Sequence, residues 1–136
     1  MSTGILRNWR GARLWVGVLA ALGAGVLAPG AGADQAALLA RGAYLAQAGD
    51  CISCHTANGG QPFAGGYRID TPFGYLLAPN ITPDKETGIG NWSADEFYRA
   101  MHEGVNKRGQ DMYPAMPYTF YSLISRADSD AIFAYL

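Results

Sequence analysis

The chain has 136 residues, enough for one domain and a targeting segment but short of a second core. Apolar residues make up 49% and charged residues 15%, which excludes a disordered polyelectrolyte. Removing residues 1–33, which hold three arginines and no acid, leaves seven Lys/Arg against eleven Asp/Glu, a net charge of −4 with no basic footprint for nucleic acid or anionic lipid.

Arg7, Arg10 and Arg13 precede an apolar run from Leu14 to Leu27, which Pro29 and Gly30 break before Ala31-Gly32-Ala33. Positive, then apolar, then small residues is the order of a secretory signal peptide, and cleavage is expected after Ala33. The run is too short for the roughly 20 residues that cross a bilayer as a helix, so a permanent anchor is the weaker reading. The mature domain is therefore expected to span residues 34–136 in the periplasm, an oxidising compartment.

The stretch Asp34 to Ala48 is rich in Ala and Leu, sets Leu38, Leu39, Tyr44 and Leu45 near one stripe, and meets a stop at Gly49. It predicts a first helix. From Asn58 to Gly90, Gly and Pro recur too often for a long element, which predicts loop with a short hairpin around Tyr67 to Leu77. Ser93-Ala94-Asp95-Glu96 is a capping-box sequence, followed by Phe97, Ala100 and Met101 at helical spacing and ended by Gly104. A second helix over Ala94 to Glu103 follows, with His102 on its solvent side. Tyr113-Pro114-Ala115-Met116-Pro117-Tyr118 cannot be helical in its middle, because each proline holds the preceding residue extended. A stiff strap or lining loop is expected there. Ser125-Arg126-Ala127-Asp128 opens a last helix that buries Ile132, Phe133 and Leu136. Few short helices on long loops bury little surface, and a large apolar cofactor would fill their centre.

Cys51-Ile52-Ser53-Cys54-His55 puts two thiols and an imidazole within five residues. C-x-x-C-H is the pattern of c-type haem attachment, with thioether bonds from Cys51 and Cys54 and His55 as proximal iron ligand. Three other chemistries use such cysteines, and each is weaker here. A Cys51–Cys54 disulfide closes too short a loop to restrict the unfolded chain much. A thioredoxin-like pair lacks its βαβ context. Structural zinc has only His102 left to complete its ligands.

The second axial position decides between electron transfer and catalysis. Met101 falls on the buried stripe of the second helix and reads as core, and His102 reads as exposed. Met112 and Met116 lie in the loop, but only Met116 stands between Pro114 and Pro117. Prolines lower the entropic cost of holding a weak thioether in place, so Met116 is the favoured ligand and Met112 the alternative. His/Met ligation fills both axial positions, and the soft thioether raises the reduction potential.

These residues resemble the class I cytochrome c fold, and within it the cytochrome c subunits of bacterial membrane-bound alcohol, gluconate and related sugar dehydrogenases. The resemblance covers the mature chain. It rests on Arg41-Gly42-Ala43-Tyr44-Leu45, on the C-x-x-C-H segment, and on Phe63-Ala64-Gly65-Gly66 and Thr71-Pro72-Phe73-Gly74. Asn80-Ile81-Thr82-Pro83-Asp84, Thr87-Gly88-Ile89-Gly90, Trp92-Ser93 and Tyr113 to Tyr118 complete it. It implies an all-α fold of short helices and long loops around one covalent haem c. It also implies Met116 as distal ligand, a close crossing of first and last helices at Gly42 and Tyr135, and a wall near the haem propionates from Asn80 to Trp92. Members of that family resemble strings of three haem domains, whereas this chain carries one C-x-x-C-H and stops within a helical pattern, so a fragment of a first domain is expected ahead of a single-haem relative. The implied role is an electron carrier, not itself an enzyme. It would take electrons from a periplasmic or membrane-bound dehydrogenase and pass them to a quinone or another cytochrome. A haem enzyme or gas sensor with an open distal position is the rival reading, weakened because no distal arginine and histidine pair stands near Met116.

Overall fold

The computed structural model describes residues 31–136. The arginines and the apolar run of the expected signal peptide lie outside the described residues. Seven elements follow in order: α1 (Ala31–Ala48), α2 (Cys51–Cys54), β1 (Arg68–Thr71), β2 (Gly74–Leu77), α3 (Ala94–Glu103), α4 (Tyr118–Tyr121) and α5 (Arg126–Tyr135). Within the described residues, α1 already includes Ala31-Gly32-Ala33, ahead of the expected Asp34. Among the described residues no helix is long and apolar enough to cross a membrane.

The three long helices carry the architecture. Helices α1 and α5 cross at Gly42, where an added Cβ would lie 2.7 Å from the Ala131 carbonyl carbon and 2.8 Å from Tyr135 Cβ. Only a residue without a side chain allows backbones that close. Arg41 donates to Asp128 across the same crossing at 2.6 Å. That pair is exposed and worth at most about 1 kcal/mol. Helix α3 meets α5 through Phe97 and Phe133, stacked with centroids 5.1 Å apart.

Helix α3 has the bounds its sequence predicts, and its capping box is complete. Glu96 N–H donates to Ser93 Oγ at 3.2 Å, and Ser93 N–H donates to the Glu96 carboxylate at 2.7 Å. Its end is fixed by Gly104 in the left-handed region (φ 70°), with the Tyr118 ring against the Cα. Helix α5 is capped by Ser125, whose Oγ accepts from Asp128 N–H at 3.1 Å. Strands β1 and β2 form the expected hairpin, antiparallel in register Arg68↔Leu77 to Thr71↔Gly74.

Two elements were not foreseen, α2 and α4, and each is a single turn. The strap also folds more tightly than an extended segment. Met116 N–H donates to Tyr113 O at 3.1 Å, so Pro114 to Met116 make a turn, and Pro117 then caps α4. Proline forbids a helix through this segment but suits a turn and a helix start.

The core is small: Ala46, Ile89, Phe97, Met101 and Ile132, with partly buried residues packed around them. Among those partners are Cys51, Trp92, Met116 and Tyr121, each half-buried because its other face lines a cavity.

Candidate functional site

Helix α2 is one turn, so Cys51 and Cys54, three residues apart, project from the same side. Both line a cavity of about 1250 Å³, and they are not joined in a disulfide. Burial pushes the Cys51 thiol up; its own backbone N–H opposes this, and Asp50 and Cys54 add to it.

His55 ends this turn and is anchored twice. Its carbonyl accepts from Gly65 N–H at 2.8 Å, and its ring Nδ1 lies 2.8 Å from Pro79 O. A carbonyl only accepts, so Nδ1 carries the proton and Nε2 is left as the free ring nitrogen. Burial pulls the imidazole below its ordinary pKa, partly opposed by the Pro79 bond. The ring is therefore neutral at pH 7, the form in which an imidazole binds a metal.

Met101, Met112 and Met116 all reach the cavity wall. They differ in what else holds them. Met101 is 5% exposed and belongs to the core, as its helical stripe implies. Met112 is tied through its backbone N–H to Gly104 O at 2.7 Å, and its side chain does not join the core cluster. Met116 packs against that cluster while lining the cavity, on the turn braced by Pro114 and Pro117.

His102 requires a correction. It is half-buried, not on the solvent side, with Nε2 2.7 Å from Ile124 O and its ring stacked on Tyr98 at 4.2 Å. It does not line the cavity. The chain leaving α4 returns over this face of α3, a fold-back that helical periodicity does not reveal.

The β-hairpin and the turn after α3 also line the cavity, and a further wall is the loop from Ala78 to Trp92, stiffened by its own side chains. Asn80 Oδ1 accepts from Thr82 N–H at 2.8 Å, and Asn80 Nδ2 donates to Thr87 Oγ1 at 2.9 Å. The Asp84 carboxylate accepts from Thr87 N–H at 2.6 Å and Glu86 N–H at 3.0 Å. Trp92 both packs on the core and lines the cavity. Two residues escaped the sequence reading. Tyr121 lines the cavity and donates its hydroxyl to Gly49 O at 2.7 Å, locking α4 to the turn before Cys51. Pro79 acts through a backbone carbonyl, for which no residue type is diagnostic.

A cavity that joins two thiols, a neutral imidazole and a thioether has the donor set of a thioether-linked haem. The family model of cytochrome c matches residues 39–136. The chain belongs to the cytochrome c family. Its cofactor is haem c, and the residues fit it: a mostly apolar cavity, larger than the roughly 300–1,000 Å³ of ordinary small-molecule sites, with sulfur and nitrogen donors among its lining residues.

This cytochrome is 55% identical over 104 residues to the gluconate 2-dehydrogenase cytochrome c subunit of Pantoea cypripedii, covering 75% of this chain and 24% of that protein. It is 48% identical over 103 residues to the cytochrome c subunit of alcohol dehydrogenase (quinone) from Gluconobacter oxydans, covering 76% and 21%. It is 54% identical over 111 residues to one of the subunits of nicotinate dehydrogenase from Pseudomonas putida, covering 82% and 9%. The cytochrome thus spans a quarter or less of each of these relatives.

Proposed function

We propose that this cytochrome is a periplasmic electron carrier that takes electrons singly from a membrane-associated alcohol or sugar-acid dehydrogenase and passes them toward the respiratory chain. The observation that carries the reading is one cavity lined by Cys51, Cys54, His55 and Met116, with His55 Nδ1 already committed to Pro79. Haem bound there supplies a ferric/ferrous couple. Cys51 and Cys54 hold the ring covalently, so it survives in a domain too small to retain it by packing alone. His55 Nε2 would be the nitrogen donor to the iron, in an orientation set by the bond from Nδ1 to Pro79. Met116 would supply the thioether donor, and iron held by both side chains would favour electron exchange over binding of oxygen or peroxide. A soft thioether in an apolar wall favours the ferrous form and raises the potential.

The relatives support the dehydrogenase partner, since two of those above are named as cytochrome c subunits of dehydrogenases. A quinone or a second cytochrome as acceptor is the natural continuation of a one-electron chain. Export rests on the order of residues 1–33.

The decisive experiment is the visible spectrum and mass of the mature protein and of Met116→Ala. Haem mass that survives denaturation is expected, with a ferric thioether band that Met116→Ala abolishes and Met112→Ala keeps. The variant should also have a lower potential and bind carbon monoxide. A Met116→Ala protein with unchanged band and potential removes Met116 from the site.

A further inference from the structure

The distal side of the cavity is held by a loop that leaves α3 at Gly104 and returns at Ser125, the cap of α5. Its upstream half is well tied. Val105 pairs with Asp111, Asn106 Oδ1 accepts from Arg108 and Gln110 N–H, and Met112 N–H donates to Gly104 O. Downstream of Met116 the backbone turns on itself, with Tyr118 N–H donating to Met116 O at 2.8 Å, Phe120 N–H to Pro117 O at 2.9 Å and Ile124 N–H to Tyr121 O at 3.0 Å. Two side-chain bonds tie it outward. Tyr121 reaches Gly49, and Ile124 O accepts from His102 Nε2 at 2.7 Å.

The His102 contact is held from several sides. Its ring lies on Tyr98, one helical turn earlier, with planes 29° apart. Tyr98 is covered in turn by the Arg126 guanidinium, 5.4 Å from the ring centroid. The acceptor is a carbonyl, so the Nε2–H donates. Ile124 and Met116 both pack against the core cluster. The imidazole is thus fixed by stacking and donates its proton to the Ile124 carbonyl, which ties the end of the Met116 loop to α3 beside the exposed Arg126–Asp95 pair.

We propose that His102 is a positioning residue for the distal thioether: through Ile124 it fixes the returning end of the loop and so keeps Met116 on the cavity. The inference rests on Met116 being the distal ligand. Losing the bond lets the loop open at its return while α3 and the upstream turn stay in place. Because Met116 is a weak, displaceable donor, the loss shows first as easier displacement and only second as lower stability.

The test is imidazole titration of the ferric holoprotein, followed by the disappearance of the thioether band, in a double-mutant cycle. His102→Phe keeps an aromatic ring for Tyr98 but has no donor; His102→Gln keeps an N–H without the ring. One hydrogen bond corresponds to roughly a two- to tenfold change, so half-displacement of Met116 by imidazole is expected at a concentration lower by that factor in His102→Phe, with recovery in His102→Gln. In a Met116→Ala background, His102→Phe should not change imidazole affinity, because no thioether remains to displace. An equal effect in both backgrounds, or none in His102→Phe, overturns the proposal while leaving Met116 as ligand. Retention of the thioether band in Met116→Ala removes the ligand and the proposal together. If His102→Phe does not assemble, the same cycle with His102→Ala in its place decides, read against the recovery in His102→Gln.

Discussion

Gly42→Ala tests the crossing on which the fold depends. Two effects oppose each other. Alanine is better than glycine inside a helix by about 1 kcal/mol, which alone would stabilise α1. Against that, the new methyl would lie 2.7 Å from the Ala131 carbonyl carbon and 2.8 Å from Tyr135 Cβ, and it would overlap the Ala131 oxygen. The first and last of these are backbone atoms, which cannot turn aside as a side-chain end can, so α5 has to move bodily. Overpacking costs about 1–3 kcal/mol and reaches the upper end where backbone must shift. The net expectation is a loss of about 2 kcal/mol, equivalent to a fall in Tm of roughly 8–16 °C for a domain of this size. Thermal unfolding of the holoprotein by circular dichroism, with the Soret band recorded in parallel, measures it. A Gly42→Ala protein as stable as the parent, or more so, would show that propensity wins and that α1 and α5 do not approach this closely.

Tyr121→Phe removes the hydroxyl that reaches Gly49 O, and about 1 kcal/mol of stability should be lost in chemical denaturation. Thr87, through its N–H and hydroxyl, holds the Asp84 carboxyl below its usual range, so the folded state favours the ionised form. The stabilisation is complete above the unfolded pKa of about 4 and fades as pH falls through the lower folded value; Asp84→Asn should flatten the acid side of a Tm-against-pH curve. With Cys51→Ser and Cys54→Ser combined, the chain should carry no covalent haem and lose its near-ultraviolet circular dichroism while keeping part of its far-ultraviolet helical signal.

What could be read from the residues, and what could not, divides by range. Helix α3 was legible end to end because its determinants are local: Ser93 and Glu96 satisfy each other across one turn, and Gly104 supplies the left-handed stop. Cys51, Cys54 and His55 were expected together from their spacing, and all three line one cavity. Met116 was singled out over Met112 by its prolines, and its packing on the core gives it a second distinction. Helices α2 and α4 were missed because four residues hold no period. Ala31-Gly32-Ala33 satisfies a cleavage-site pattern and a helix start alike, so composition does not place the beginning of α1. The bond from His55 to Pro79 spans 24 residues, and that from His102 to Ile124 spans 22. Both end on backbone carbonyls, which leave no trace in residue type.

The small core and the large cavity are one fact seen twice. The cavity of about 1250 Å³ is lined by more apolar than polar surface, while among the described residues few apolar side chains are fully buried. The half-buried faces of Trp92, Met116 and Tyr121 are therefore packing surfaces for a planar apolar group, and the group completes the core as well as the site. Covalent attachment at Cys51 and Cys54 follows from the same balance. If the cofactor supplies much of the buried surface, its dissociation is an unfolding event, and two thioether bonds remove that route. Fold and redox centre cannot then be varied independently: substitutions that loosen the Ala78–Trp92 loop or the Met116 turn should shift the potential and the stability together.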